Sequence, residues 1–128
     1  MRYRWAVLAA PALVAGCAAV SAPWSEVTGE RYNLAIENRR SVAIVSVGST
    51  TGWARPQALT VDPGRQRVVV ESHGQGSFRV GRVRELELDV APCRRYYVNA
   101  QFDDPVSSDF RPVVDHVESI PGCGTPRG

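Results

Sequence analysis

The chain has 128 residues, with 15 basic and 13 acidic side chains, two histidines, three cysteines and a formal net charge of +2. That length is one domain's worth of polypeptide. Two of the basic residues, Arg2 and Arg4, sit at the extreme N-terminus, and beyond residue 16 thirteen arginines face thirteen acids, so the charge balance gives no support for a nucleic-acid partner.

Met1-Arg2-Tyr3-Arg4-Trp5 leads into an apolar run over residues 6–16 that ends in Leu13-Val14-Ala15-Gly16-Cys17. A charged start followed by a short apolar core fits a secretory signal. The run is too short to span a bilayer as a helix, which needs roughly 20 apolar residues. A cysteine directly after two small residues resembles the lipobox of bacterial lipoproteins. The resemblance implies cleavage ahead of Cys17, a thioether-linked diacylglycerol on its sulfur and a further acyl chain on the new amine. At about 0.8 kcal/mol per buried methylene, such chains anchor stably. Ala18 follows, not the aspartate of inner-membrane retention, so the expected address is the outer membrane, periplasm-facing or at the cell surface. An ordinary signal cleaved at Ala18-Ala19 or Ser21-Ala22 would discard Cys17, and this alternative stays open.

Removing sixteen residues leaves 112, enough for one modest core. Lipidation of Cys17 would leave Cys93 and Cys123 as a pair. In an oxidising compartment these are expected to form a disulfide; no C-x-x-C spacing suggests a redox or metal role instead.

Residues 17–30 are small and polar and are expected to form a lipidated tether. Trp24 is the exception, suited either to the lipid headgroups or to capping the body. A β-sandwich domain is expected over 31–128. Tyr32, Leu34 and Ile36 alternate with polar neighbours as a strand does, and 38–41 follows as a turn. Residues 41–47 form a β-branched apolar run suited to a central strand. A polar loop over 48–56 holds Trp53. The apolar stretch 58–61, the Asp62-Pro63-Gly64-Arg65 turn and the Val68-Val69-Val70 strand together suggest a hairpin. After a Gly-rich loop comes a weaker strand over 78–83, interrupted by Gly81. Leu86, Leu88 and Val90 then alternate with Glu85, Glu87 and Asp89, the pattern of a half-buried antiparallel strand. Tyr96, Val98, Ala100 and Phe102 line one face of the next strand, and Arg95, Tyr97, Asn99 and Gln101 the other. A polar loop over 103–111 and a last extended segment over 112–120 complete the chain. No helix period appears after residue 17. The expected fold is all-β: a small antiparallel β-sandwich of about seven strands.

Val61-Asp62-Pro63-Gly64, Arg67-Val68-Val69-Val70, Leu86-Glu87-Leu88-Asp89-Val90 and Tyr96-Tyr97-Val98 together resemble PEGA-type and transthyretin-like bacterial surface modules over residues 58–102. The resemblance implies an immunoglobulin-like or transthyretin-like sandwich. Cys93-Arg94-Arg95-Tyr96-Tyr97 and the segment from Pro112 to Cys123 are similar to small proteobacterial lipoproteins. Neither resemblance carries a catalytic residue onto this chain.

Candidate chemistry is sparse. Asp103, Asp104, Asp109, Asp115, His116 and Glu118 lie within sixteen residues, but the spacing matches no EF-hand. Asp115 and His116, adjacent on a strand, should point to opposite faces. Solvated loop charge is the simpler account. His73 and His116 are the only histidines, and no G-x-S-x-G elbow accompanies them. Arg65, Arg67, Arg79, Arg82, Arg84, Arg94 and Arg95 could form a basic face, or pair across strands with Glu71, Glu85, Glu87 and Asp89. Exposed aromatic residues often anchor interfaces, so Tyr97, on the polar face of its strand, is the leading binding candidate, with Trp53, Arg94 and Arg95 beside it in the expected surface. The expected role is non-catalytic binding or scaffolding by a membrane-anchored envelope lipoprotein, with no metal or cofactor. A subunit of an envelope or secretion machine is one alternative, and a metal-binding or hydrolytic periplasmic protein another. Beyond the membrane, the expected partner is an envelope protein.

Overall fold

A computed structural model describes residues 22–52, 58–73 and 81–123. Cys17, Trp53, Arg79 and the first half of the expected strand over 78–83 lie outside them. Nine strands are present among the described residues, and no helix: β1 Ser25–Thr28, β2 Arg39–Arg40, β3 Ala43–Val47, β4 Thr50–Thr51, β5 Leu59–Val61, β6 Gly64–His73, β7 Gly81–Val90, β8 Arg94–Phe102 and β9 Phe110–Ser119. They form two sheets. The first runs β2-β8-β1-β5, with β9 on the other edge of β8; the second runs β4-β3-β6-β7. β1 and the two-residue pieces β2 and β4 were not among the expected strands.

The sheets share one core. Val27, Val61, Tyr96, Val98, Ala100, Phe102 and Phe110 come from the first; Ile44, Val47, Val68, Val70, Leu88 and Val90 from the second. The period-two alternation of β7 and β8 places these residues inward, as the sequence pattern implies. The Tyr96 hydroxyl donates to Asp89 O and accepts from Ala91 N–H at 2.7 Å. It thereby fixes the turn that carries the chain from one sheet to the other.

Four expectations fail. Residues 25–30 are not tether: β1 lies in the first sheet, with Val27 fully buried. It runs parallel to β8, Val27 opposite Tyr96, so the sandwich is not wholly antiparallel. Second, residues 31–37 form a loop rather than a strand. Arg31 Nη2 donates to the carbonyls of Asn33, Leu34 and Ile36, and Asn33 Oδ1 accepts from Ala35 N–H. These side chains take the backbone groups a ladder would need. Third, β5 and β6 are not a hairpin. β5 pairs with β1, and β6 with β3 and β7. The Pro63-Gly64 turn, with Gly64 at φ 121°, passes the chain between sheets. Fourth, residues 81–83 and 84–90 do not belong to two separate strands but to one continuous ten-residue strand, β7; the expected break ahead of Gly81 involves residues outside the described ones.

The end of the sandwich where β1, β6 and β8 begin is closed covalently. Cys93 and Cys123 form a disulfide with Cα atoms 5.4 Å apart. Cys93 N–H donates to Trp24 O at 3.2 Å, and Ile120 N–H to Cys93 O at 3.0 Å. Ser25 Oγ donates to Ala91 O and accepts from Arg94 N–H. Closing a loop of 30 residues is worth about 3–4 kcal/mol in the chain-entropy model. A Cys93→Ser/Cys123→Ser variant is therefore expected to lose roughly that much unfolding free energy in urea titrations.

Gly29 is the second tight point. A Cβ there would sit 1.8 Å from the Val42 carbonyl oxygen, where the end of β1 crosses the approach to β3. Gly29→Ala is expected to destabilise by about 3 kcal/mol, the upper end for overpacking. A thermal midpoint equal to that of the parent would contradict this crossing.

Candidate functional site

The outward face of the first sheet is ordered into cross-strand rows by register. Arg95 on β8 stands opposite Glu26 on β1 and Glu118 on β9. Its Nε donates to Glu26 Oε2 and its Nη1 to Glu118 Oε1, both at 2.7 Å. The Tyr97 hydroxyl donates to the same Glu118 oxygen at 2.8 Å. The Tyr97 hydrogen bond and the Arg95 guanidinium hold the Glu118 carboxyl below its ordinary range. Glu26 and Glu118 in turn raise Arg95. Burial, then the hydrogen bond to Glu118, pushes the Tyr97 phenol up, so it stays neutral at physiological pH.

The next row is Thr28, Tyr97 and His116. Tyr32 lies over it, stacked on His116 with ring centroids 3.6 Å apart and planes 8° apart, and tilted against Tyr97 at 5.4 Å. Tyr32 remains 53% exposed, so the ring face away from His116 meets solvent. Beside this cluster an open cleft of about 280 Å³ is lined by Glu26, Thr28, Glu30, Ala58, Arg95 and Tyr97.

The loop over 30–38 positions Tyr32. It leaves the edge of β8 at Gly29 and returns to that edge at β2. Asn99, on the polar face of β8, is fully buried beneath its start. Its Nδ2 donates to the carbonyls of Gly29 and Glu30. Gln101 Nε2 donates to Glu37 O, and Arg39 Nε to Gln101 Oε1. The strongest tie is Asp115. Its carboxylate accepts from the N–H groups of Tyr32 and Asn33 at 3.2 and 3.1 Å and pairs with Arg39. The Asp115 side chain has no exposed surface. Burial favours its neutral form, but the Asn33 N–H, Arg39 and the Tyr32 N–H outweigh burial and keep its carboxyl below the usual range.

The register shifts between Tyr97 and Val98, so that Val98 pairs with Val114 and Tyr97 with His116. Asp115 is the extra residue of this bulge. A bulge breaks strict alternation, and Asp115 and His116 both meet the 30–38 loop. The expectation that they face opposite ways is overturned for this reason.

The acidic side chains of 103–118, a candidate cation site in the sequence, are dispersed. Asp109 pairs with Arg84, Asp115 with Arg39 and Glu118 with Arg95, while Asp103 lies 3.8 Å from Arg111. Asp104 accepts from Val106 N–H as turn chemistry. Among the described residues, no three His, Cys, Asp or Glu side chains gather where they could hold a metal ion. Arg65 and Arg67 pair with Glu85, Glu87 and Asp89 across β6 and β7, the cross-strand arrangement open in the sequence. Of the expected surface, Arg95 and Tyr97 share the outward face. Arg94 points the other way, at the disulfide end, donating to Ser119 Oγ and Cys93 O. Trp53 lies outside the described residues.

No family model, no curated protein and no solved structure matches the chain. The site therefore rests on its own geometry. Tyr32, Arg39 and Glu26 carried no signal in the sequence, because each gains its place through a partner distant along the chain.

Asp115→Asn leaves Arg39 without its counter-charge and is expected to lower stability by about 3 kcal/mol at neutral pH, the low end for breaking a buried ion pair. The Asp115 carboxyl is depressed in the folded state. Its stabilisation is therefore present above the unfolded value of about 4 and lost as pH falls through the folded one. Urea midpoints of parent and variant should differ at neutral pH and converge on acidification below about pH 4.

Proposed function

We propose that this chain is a lipid-anchored bacterial envelope protein, held to the outer membrane through acyl chains on Cys17, that acts by binding rather than catalysis. The observation that carries the reading is the sorting of the three cysteines. Cys93 and Cys123 bond to each other, which leaves over the one that follows Leu13-Val14-Ala15-Gly16. A stabilising disulfide also suits an exported domain. The binding surface is the outward face of the first sheet, where exposed Tyr32 is backed by His116 and flanked by Tyr97, Arg95, Glu118 and the cleft at Glu26 and Glu30. Rigid aromatic rings beside paired charges, held on strands and a pinned loop, offer a preformed contact surface. The immunoglobulin-like or transthyretin-like topology belongs to this proposal, supported by the two-sheet architecture.

A second reading, subunit of an envelope machine, draws on the seam between the sheets. Val114 and Val117 on edge strand β9 are 39% and 42% exposed, although Val98 and Tyr96 opposite them are core. Apolar side chains at an incompletely covered edge suit a protein partner.

Cys17→Ser is expected to move the protein from the membrane to the soluble envelope fraction, and intact-mass analysis of the parent to show a chain starting at Cys17 with added acyl mass. Unchanged membrane attachment of the variant would falsify the anchor.

A further inference from the structure

The chain joins the body at one end only. Trp24 O accepts from Cys93 N–H and lies 3.0 Å from Cys123 Sγ, and Ser25 is fixed to Ala91 and Arg94. This pole carries the turns at 62–63, 91–93 and 120–123. The opposite pole carries the 103–109 turn between β8 and β9, where Val106 is the most exposed large apolar side chain among the described residues.

Six residues lie between Cys17 and Trp24, which makes seven residue steps. At no more than about 3.6 Å per step, these seven steps span about 25 Å at most. A ten-residue strand such as β7 or β9 is about 33 Å long. An inverted body, with the 103–109 pole on the bilayer, would lift Trp24 beyond the reach of its own anchor.

The chemistry of the near pole suits a phospholipid surface. Trp24 is half-buried, with part of an amphipathic indole left for the headgroup layer. Arg94 is exposed, and its guanidinium meets only neutral oxygens, those of Ser119 and Cys93, among the described residues. Such a cation fits a phosphate.

We propose that the Cys93–Cys123 pole docks on the phospholipid headgroup surface through Trp24 and Arg94. The Tyr32 face then stands along the side of the body, and the 103–109 turn points away from the membrane. This inference rests on lipidation of Cys17.

The test uses the lipidated full chain in vesicles of phosphatidylethanolamine and phosphatidylglycerol carrying nitroxide-labelled headgroups. Trp53→Phe leaves Trp24 as the only indole after Cys17. A Trp24→Phe/Trp53→Phe/Val106→Trp variant places the only indole at the far pole. Fluorescence quenching is expected to be several-fold stronger in the first protein than in the second, and weaker in the first after adding Arg94→Glu. Equal quenching at the two poles, or stronger quenching at the far one, overturns the docking while the protein still sediments with the vesicles. Failure to sediment overturns the anchor and the docking together. Should Trp53→Phe not fold, fluorotryptophan labelling of the wild-type chain supplies the same comparison. Its Trp24 signal, assigned by Trp24→Phe, must broaden strongly with nitroxide lipid, and an unbroadened signal contradicts the orientation.

Discussion

Strand β8 is hydrogen-bonded along both edges, and that requirement shapes the chain around it. One edge is taken over its whole length by β9. The other is shared between β1, parallel at residues 95–97, and β2, antiparallel at 100–101. Since buried backbone groups must be paired, the chain between β1 and β2 has to leave this edge and come back to it. The arch it makes is the 30–38 loop, and the residues beneath the arch are the candidate site. Core and site thus share a cause: Tyr96, Val98, Ala100 and Phe102 pack inward from the strand whose outward side chains Arg95, Tyr97 and Asn99 organise the surface.

That surface is polar yet largely satisfied. Arg95 sits between two carboxylates, Tyr97 adds its hydroxyl to one of them, and Asp115 receives two backbone N–H groups and a guanidinium. Networks of this kind fix geometry more than they add stability. They hold Tyr32 over His116 in one orientation while leaving its other ring face in water. A surface built to bind gains from such preorganisation, because little side-chain freedom remains to be lost on contact.

Much of the fold was legible in the sequence where apolar and polar residues alternate and the pattern survives packing: 86–90, 96–102 and the run ending at Val47. The disulfide was legible from cysteine number and from the oxidising compartment that the N-terminal motif led one to expect. β1 was not, because Ser25-Glu26-Val27-Thr28 holds a single large apolar residue. Its burial comes from β8 and β5 on either side, not from its own composition. Residues 31–37 show the converse. Their alternation was real, but Arg31 and Asn33 satisfied the local carbonyls and N–H groups themselves, and Leu34 ended 75% exposed. Of the site, Tyr97 and Arg95 were legible from strand parity. The Asp115–Arg39 tie was hidden by one extra residue, since a bulge leaves no mark in a period-two pattern.

The parallel alignment of β1 with β8 has a mechanical consequence. Any pull on the chain ahead of Trp24 enters β1 at its first residue and acts along the strand axis. The ladder to β8 and the antiparallel ladder to β5 are then strained together in shear, rather than unzipped one bond after another, and the covalent bridge at Cys93 stands at the point of loading. Tension at the N-terminus would meet the stiffest direction of the body.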